Sequence, residues 1–362
     1  CDKFGLFDEQ RKSQGVALLM EMGTGKTLVS IAVAGCMYQH GKVKRVLVVA
    51  PLSVLSVWED EFAQYADFPH SLTVLKGTLA KKRKQLTKLR SEGLQIVVVN
   101  YESAWRLEKE LMAYNADLII ADEAHKLKEN RSAQSKGMHH LGDQAKYKLL
   151  LTGTLITNRE LDVFSQYRFL NSKIFGTSFY SFRNRYFDMC GYGNHTPVFR
   201  KSMTDDFLQK LHSVAYRVTK EECLDLPAIT EEVRTVELTA SAAKIYREVE
   251  AESYAKLAES EVTTTNILTR IMRLSQITGG HLTGDDGIVN VVSYDKLNAL
   301  SDILDAAMAE EKKVVIMARF IVELYAIQEL LLERKIGYAV VHGGIMDREK
   351  QIQRCPLCGE II

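Results

Sequence analysis

Six short apolar runs near the start of the chain constrain its fold more than any other feature. They are rich in β-branched side chains, and segments of helical period separate them. They occupy residues 16–21, 46–50, 72–75, 95–99, 118–121 and 148–151. Strands buried on both faces show continuous apolar runs, whereas half-exposed strands alternate apolar and polar residues. The pattern therefore predicts an α/β domain in which helices cover a parallel sheet.

The strand pattern ends after residue 157, and an aromatic stretch of helical spacing follows over residues 161–226. Such a stripe is typical of core packing, and a surface that stacks on nucleic acid is the alternative. Residues 240–274 resemble one long amphipathic helix, and the glycine-rich residues 278–290 resemble a linker. A second α/β unit follows, with predicted strands at 313–318 and 337–341 and a helix at 321–333. We expect four parts, at residues 1–160, 161–278, 279–293 and 294–362.

Composition limits the function classes. The chain has 362 residues, of which 46% are hydrophobic and 26% charged, as in ordinary globular proteins. Its 47 basic and 46 acidic side chains leave a net charge of +1, so any contact with nucleic acid must be local. The longest apolar run, residues 46–58, is too short and too polar to span a membrane. The composition therefore excludes collagen-like and low-complexity proteins, and the short apolar runs argue against a transmembrane helix.

The cysteines and the first residue indicate a cellular location and a fragment. Six scattered cysteines are too few for a disulfide framework, which indicates a reducing intracellular compartment. That compartment is the cytoplasm in a prokaryote or a virus-infected cell, or the nucleus in a eukaryote. The chain starts at Cys1 and has no signal-peptide pattern, so we expect a piece of a longer protein.

The segment EMGTGKT, residues 21–27, has the context of a phosphate-binding loop, because it follows a predicted strand and opens a predicted helix. Gly23, Thr24 and Gly25 would let backbone N–H groups approach phosphate oxygens at the start of the helix. Lys26 would reach the β- and γ-phosphates, and Thr27 would offer its hydroxyl to Mg²⁺. The full pattern also has a glycine at the position of Met20, so only its later part matches.

An acidic pair, Asp122 and Glu123, directly follows the apolar run at residues 118–121. An open parallel sheet binds its ligands at the carboxyl ends of its strands. Asp122 is predicted to hold Mg²⁺, directly or through water, and Glu123 to orient and deprotonate the attacking water. Two solvated acids at a helix start are the alternative. The phosphate loop upstream favours the catalytic interpretation.

The phosphate-binding loop and the acidic pair are the two halves of a nucleotide site, which we call its half-sites. With both present, the sequence resembles the superfamily-two, DEAH-box helicase-like ATPases, and among them the Swi/Snf-type double-stranded DNA translocases. The shared superfamily motifs I, Ia, the next DNA-side motif, II and III resemble residues 21–27, 49–62, 98–102, 122–125 and 150–158. Segments that resemble the Swi/Snf type in particular are residues 126–130, 158–170, 217–227, 313–320 and 342–344.

The resemblance implies a first RecA-like lobe, a helical Swi/Snf-type insertion and the start of a second RecA-like lobe, with ATP and Mg²⁺ between the lobes and double-stranded DNA as the partner. Ser53 and Asn100 would contact DNA phosphates, with ordinary loop and cap roles as the alternative. His125 would couple the nucleotide to Thr152 and Thr154, or else be a structural histidine.

The sequence also departs from the family pattern. Leu155 replaces a usual proline, the adenine-recognition segment would lie mostly before residue 1, and motifs V and VI have no counterpart after Arg354. We therefore expect the chain to bind Mg·ATP but to hydrolyse it poorly. An RNA helicase of the same superfamily and a nucleotide-binding interaction module without hydrolysis stay open as alternatives.

Two further features, a basic stretch and a pair of cysteines, each allow a structural and a functional interpretation. The basic residues from Lys81 to Arg90 predict a solvated helix, with a DNA-gripping surface as the alternative. Cys355 and Cys358 have the spacing of half a zinc site, but no second pair follows. Zinc is therefore the less favoured interpretation of this pair.

Overall fold

A parallel sheet of seven strands organises the first of two units into which the chain divides, Cys1–Ala228 and Ile229–Ile362. The computed structural model describes residues 14–90, 92–156, 159–191, 193, 195–259, 264–284 and 286–345, and only the backbone of residues 14, 252–259 and 264–267. The strands of the first unit are β1 Gln14–Met20, β2 Arg45–Ala50, β3 His70–Val74, β4 Leu94–Asn100, β5 Leu118–Ala121, β6 Tyr147–Thr152, β7 Phe187–Cys190, β8 Thr196–Phe199 and β9 Ala215–Val218.

The sheet has the order β3-β4-β2-β5-β6-β1-β9, and all its neighbouring strands are parallel. The six predicted strands are confirmed, with each end within two residues of its predicted position. The sequence does not predict the edge strand β9, because the two middle residues of its four are exposed and it shows no continuous apolar run. Strands β7 and β8 form a separate antiparallel hairpin.

The helices of the first unit cover both faces of the sheet. They are α1 Lys26–Gln39, α2 Leu55–Tyr65, α3 Leu79–Leu86, α4 Tyr101–Arg106, α5 Glu108–Tyr114, α6 Ala133–Gln144, α7 Val163–Leu170, α8 Ser172–Phe175, α9 Phe179–Tyr186, α10 Thr204–His212 and α11 Lys220–Cys223. Alternate residues of each central strand enter opposite cores: Val46 and Val48 contribute to one, and Leu47 and Val49 to the other. A continuous apolar run is the sequence signature of this double burial.

The aromatic stretch is core, as predicted. Phe164, Tyr167, Phe175, Phe182 and Tyr186 are all buried, and their rings contact one another at centroid distances of 5.1–5.8 Å. These residues lie on α7, α8 and α9, which pack beside the sheet in the same core as β1, β2 and β6.

The second unit has the helices α12 Ala240–Glu259, α13 Thr264–Thr278, α14 Asp295–Ala309 and α15 Ile321–Glu333. The helix predicted over residues 321–333 is confirmed. The region predicted as one long helix contains two helices, and an antiparallel hairpin, β10 His281–Thr283 with β11 Val289–Val291, lies in the predicted linker. None of the helices in the described ranges is long and apolar enough to cross a membrane.

The strands predicted at 313–318 and 337–341 are wrong, since β11 is the only strand within the described residues 286–345. Val315 and Met317 are 82% and 92% exposed. High β-propensity makes a strand only where a neighbouring strand pairs with it and the side chains pack.

Candidate nucleotide site

The loop between β1 and α1 has the backbone that a phosphate cradle requires. Gly23 and Gly25 have φ angles of 85° and 87°, a left-handed conformation that glycine adopts without strain. A Cβ atom at either position would meet no atom within 4 Å, so the space beside the loop is open. Gly25 is also the N-cap of α1, whose first N–H groups have no acceptor within the helix. The loop can therefore surround an anion with N–H donors.

The Lys26 ammonium group crosses this loop. Its Nζ atom donates hydrogen bonds to the carbonyl oxygens of Met20 at 2.9 Å and Glu21 at 3.2 Å. The Thr24 hydroxyl donates to the Glu21 carbonyl as well, at 2.8 Å. A phosphate oxygen carries a full charge and is a stronger acceptor than a carbonyl group. The phosphate-binding role of Lys26 stays a prediction, and it would require Lys26 to exchange these carbonyl partners for a phosphate.

Strand β5 delivers the acidic pair at its carboxyl end. The residue Asp122 is only 8% exposed; its Oδ2 accepts a hydrogen bond from Nε1 of Trp58 at 3.0 Å, and its Oδ1 accepts one from the N–H of Glu123 at 2.9 Å. Burial raises the pKa of Asp122 above its usual value, and the Trp58 hydrogen bond opposes that rise. The carboxylate is thus held in a fixed orientation, as a metal ligand must be.

Glu123 has a strained backbone, with a φ angle of 47°, and it precedes the short turn Ala124–Leu127. Left-handed backbone is uncommon for residues other than glycine and occurs often at functional sites. Its Oε2 atom lies 3.1 Å from Nδ1 of His125, although this nitrogen is not aligned for a hydrogen bond. The structure thus brings the predicted base and His125 together.

Strand β6 connects the two half-sites. Thr152 on β6 is in register with Leu19 on β1, and Leu150 on β6 with Ala121 on β5. A Cβ at Gly153 would lie 3.5 Å from the Met20 carbonyl oxygen, so the turn after β6 packs against the nucleotide loop. Lys26, Asp122 and the β6 turn therefore lie at the same edge of the sheet, the one formed by the carboxyl ends of β1, β5 and β6.

Thr152 and Thr154 are bonded to each other. The Thr152 hydroxyl donates to the Thr154 carbonyl at 3.0 Å and accepts from the Thr154 N–H at 3.2 Å. These bonds fix the turn after β6. The coupling of His125 to these threonines stays a prediction.

The two predicted DNA-contacting residues lie in different environments. Ser53 is exposed in the short turn Leu52–Val54 after β2. Asn100 is only 6% exposed; its Oδ1 accepts a hydrogen bond from Lys82 Nζ at 2.9 Å, and its Nδ2 donates to Glu102 Oε2 at 2.7 Å. A contact between the Asn100 side chain and DNA stays a prediction, and it would require this internal network to open.

Comparison with known proteins shows which family the chain resembles. The SNF2-related domain matches residues 5–280. The chain belongs to the SNF2-related family. Curated relatives include an uncharacterised ATP-dependent helicase of Mycoplasma genitalium, 27% identical over 336 residues, and the CHD3-type chromatin-remodeling factor PICKLE of Arabidopsis thaliana, 23% identical over 385 residues. These alignments cover 91% and 94% of this chain but 30% and 26% of the relatives. The chain thus spans less than a third of their length.

A solved structure supports the same fold. The Sulfolobus solfataricus SWI2/SNF2 ATPase core in complex with dsDNA matches with a TM-score of 0.53 and 23% identity, covering 99% of this chain and 75% of that one. The predicted RecA-like α/β class is therefore confirmed for this SNF2-related chain.

The sequence does not single out three side chains that lie around the candidate site. Trp58 holds Asp122, the Tyr101 hydroxyl donates to the Asp122 carbonyl at 2.7 Å, and Lys82 holds Asn100. The two aromatic residues occupy apolar positions that resemble ordinary core in the sequence. Trp58 and Tyr101 lie on the helices that follow β2 and β4. The sheet order β4-β2-β5 brings both side chains close to Asp122 at the end of β5.

The described part of the chain contains no group of three or more His, Cys, Asp or Glu side chains that could hold a metal ion by themselves. Cys355 and Cys358 lie outside the described residues, so the zinc interpretation gains no support here. Mg²⁺ in phosphoryl-transfer sites is held by one or two protein ligands together with substrate phosphates.

Proposed function

We propose that the protein is an ATP-driven translocase on double-stranded DNA and that this chain carries its nucleotide-binding lobe. The observation that supports the proposal best is the arrangement of Lys26 and the pair Asp122 and Glu123 at one edge of the sheet, with β6 between them. Membership of the SNF2-related family supports it independently.

Gly23, Thr24, Gly25 and Lys26 would hold the phosphates of ATP. The open space beside the two glycines and the carbonyl-bonded ammonium group both fit an incoming anion. Thr27 and Asp122 would hold Mg²⁺, which when bound neutralises the charge on the phosphates. The hydrogen bond from Trp58 would hold the Asp122 carboxylate in a fixed orientation before Mg²⁺ binds.

Glu123 would act as the general base. Its side chain is 25% exposed, so a water molecule can reach it, and it projects from a strained position next to the buried Asp122. A base that accepts a proton from the attacking water contributes about 10²- to 10⁴-fold to the rate. Replacing Glu123 with glutamine retains the shape of the side chain but removes this proton acceptor.

The exposed Ser53 would contact the DNA backbone. A hydroxyl group bonds to phosphate oxygens without reading bases, so binding would tolerate any duplex sequence. The Sulfolobus core that shares this fold was solved with dsDNA, and a chromatin-remodeling factor is among the relatives, which supports duplex DNA as the partner.

The test is ATP turnover by the whole protein with duplex DNA, duplex RNA or no nucleic acid. We expect duplex DNA of any sequence to stimulate turnover, Glu123→Gln to reduce it by about 10²-fold or more, and Ser53→Ala to raise the DNA concentration needed for half-maximal stimulation. Stimulation by duplex RNA alone would instead support an RNA helicase. Nucleotide binding without any turnover would support an interaction module.

A further inference from the structure

Glu21, the residue that follows β1, contacts a segment nearly two hundred positions away. Its backbone N–H donates to the carbonyl of Val218 at 3.1 Å. Its carboxylate Oε2 accepts a hydrogen bond from the backbone N–H of Lys220 at 3.0 Å. Since β1 and β9 are parallel neighbours with Met20 opposite Val218, the backbone bond continues the pairing one residue past the end of β1. The side-chain bond reaches Lys220, two residues past the end of β9.

The other side of the same residue belongs to the nucleotide loop. The Glu21 carbonyl oxygen accepts hydrogen bonds from the N–H and the hydroxyl of Thr24, at 3.3 and 2.8 Å, and from Lys26 Nζ at 3.2 Å. Glu21 thus contacts the phosphate-binding lysine through its carbonyl group and the Lys220 backbone through its side chain.

The segment that Glu21 contacts holds the last regular secondary structure of the first unit, the short helix α11. After α11 the residues 224–239 form neither helix nor strand, and the first unit ends at Ala228. Strand β9 lies at the edge of the sheet, with β1 as its neighbour. A second carboxylate, that of Glu222, bonds to the N–H of Thr219 at 2.8 Å, but this bond lies within the segment.

We propose that Glu21 is a positioning residue that couples nucleotide binding in the loop to the backbone at Lys220, in the last helix before the first unit ends at Ala228. The proposal rests on the proposed function, because it requires ATP to bind this loop. When a phosphate binds, Lys26 donates to it instead of to the Met20 and Glu21 carbonyls. The backbone N–H groups of the loop also donate to the phosphate, which makes the loop more rigid. The rigid loop then holds the Glu21 carboxylate more firmly on the Lys220 N–H.

Hydrogen exchange tests this coupling. Amide exchange of residues 219–223 is measured by mass spectrometry on the 362-residue chain, with and without Mg²⁺ and a non-hydrolysable ATP analogue at concentrations that saturate each variant. Calorimetric titration of the same samples gives the binding itself. In the native chain the analogue should slow exchange of this segment about tenfold, equivalent to about 1.4 kcal/mol.

Three variants separate coupling from local stability. Glu21→Ala should lose the slowing, whereas Glu21→Gln should retain most of it, because the glutamine oxygen still accepts from Lys220. Lys220→Pro removes the donor from the opposite side without changing the loop, and proline is tolerated at the first position of a helix. It should also lose the slowing, read at the amides of Glu221 and Glu222.

Glu222→Ala is the matched control. It removes a carboxylate that contacts the same segment but not the loop, so exchange should rise with and without nucleotide while the response to nucleotide persists. A full nucleotide response in Glu21→Ala or Lys220→Pro would overturn the proposal. A native chain that binds the analogue without slower exchange would overturn it and leave the proposed function standing. A native chain that does not bind the analogue would overturn both.

Discussion

At the scale of single residues, His139 makes the stability of the first unit depend on pH. It lies on α6 and is 7% exposed, and its Nε2 atom is 2.9 Å from the carbonyl oxygen of Ser165. Burial lowers the pKa of His139 to about 4, partly opposed by the bond to Ser165. In the unfolded chain a histidine has a pKa of about 6.5.

The sign of the effect follows from these two values. Between pH 6.5 and 4 the unfolded chain binds a proton that the folded protein does not, so stability falls as the pH falls through this window. We expect the free energy of unfolding to drop by about 2 to 3 kcal/mol more in the native chain than in His139→Gln between pH 7 and pH 4.5. Urea denaturation at both pH values measures the difference, and equal losses in the two proteins would contradict the assignment.

Lys82 is a buried lysine, whereas the basic residues next to it in the sequence are exposed. It belongs to the basic stretch but is 5% exposed, and its Nζ atom donates to Asn100 Oδ1 at 2.9 Å and to Ser103 Oγ at 2.6 Å. Burial lowers its pKa, and the nearby Glu102 carboxylate opposes this change. Lys82 thus fixes the start of α4 from inside the protein.

Lys82→Met should destabilise the first unit by about 1 to 3 kcal/mol, because it leaves the Asn100 oxygen buried without this donor. Lys84→Met is the matched control on the exposed face of α3, and it should change stability by no more than about 0.5 kcal/mol. Chemical denaturation of both variants provides the comparison. A Lys82 variant as stable as the Lys84 variant would show that the network does not support the fold.

At the scale of elements, the helices after the sheet depend on their aromatic core. Phe182 on α9 is 2% exposed, and its ring centroid lies 5.1–5.3 Å from those of Tyr186, Phe164 and Phe175. Phe182→Ala should cost about 3 to 5 kcal/mol, the usual range for a buried phenylalanine. Tyr180, 55% exposed on the same helix, is the control, and Tyr180→Ala should cost far less. Thermal unfolding distinguishes the two, and similar losses would contradict the packing assignment.

Sequence predicts elements well where one local pattern determines them. The sequence predicts the ends of the central strands to within two residues, because each strand is buried on both faces and its apolar run is continuous. The sequence also predicts both ends of the helix Ile321–Glu333, because the pattern that indicates this helix lies within the segment itself. The predicted strand at 313–318 failed, because pairing with a neighbour is a property of the surroundings and not of the segment.

At the scale of the whole molecule, the same distinction applies to the candidate site. The loop at Lys26 and the acidic pair at Asp122 are contiguous motifs, so the sequence predicts both. The hydrogen bonds from Trp58 to Asp122 and from Lys220 to Glu21 join residues 64 and 199 positions apart. No local pattern encodes such contacts, since the order of strands in the sheet creates them.

The central claim, that this sheet edge binds ATP through Lys26, is tested most directly by calorimetric titration of the chain with Mg·ATP. We expect binding by the native chain, about 10- to 100-fold weaker binding by Lys26→Ala because a charged hydrogen bond to phosphate is lost, and little change in the exposed-lysine control Lys44→Ala. Glu123→Gln should bind nearly as tightly as the native chain, since its side chain acts only on the attacking water. Equal affinity in the native chain and Lys26→Ala, or no binding by the native chain, would contradict the account.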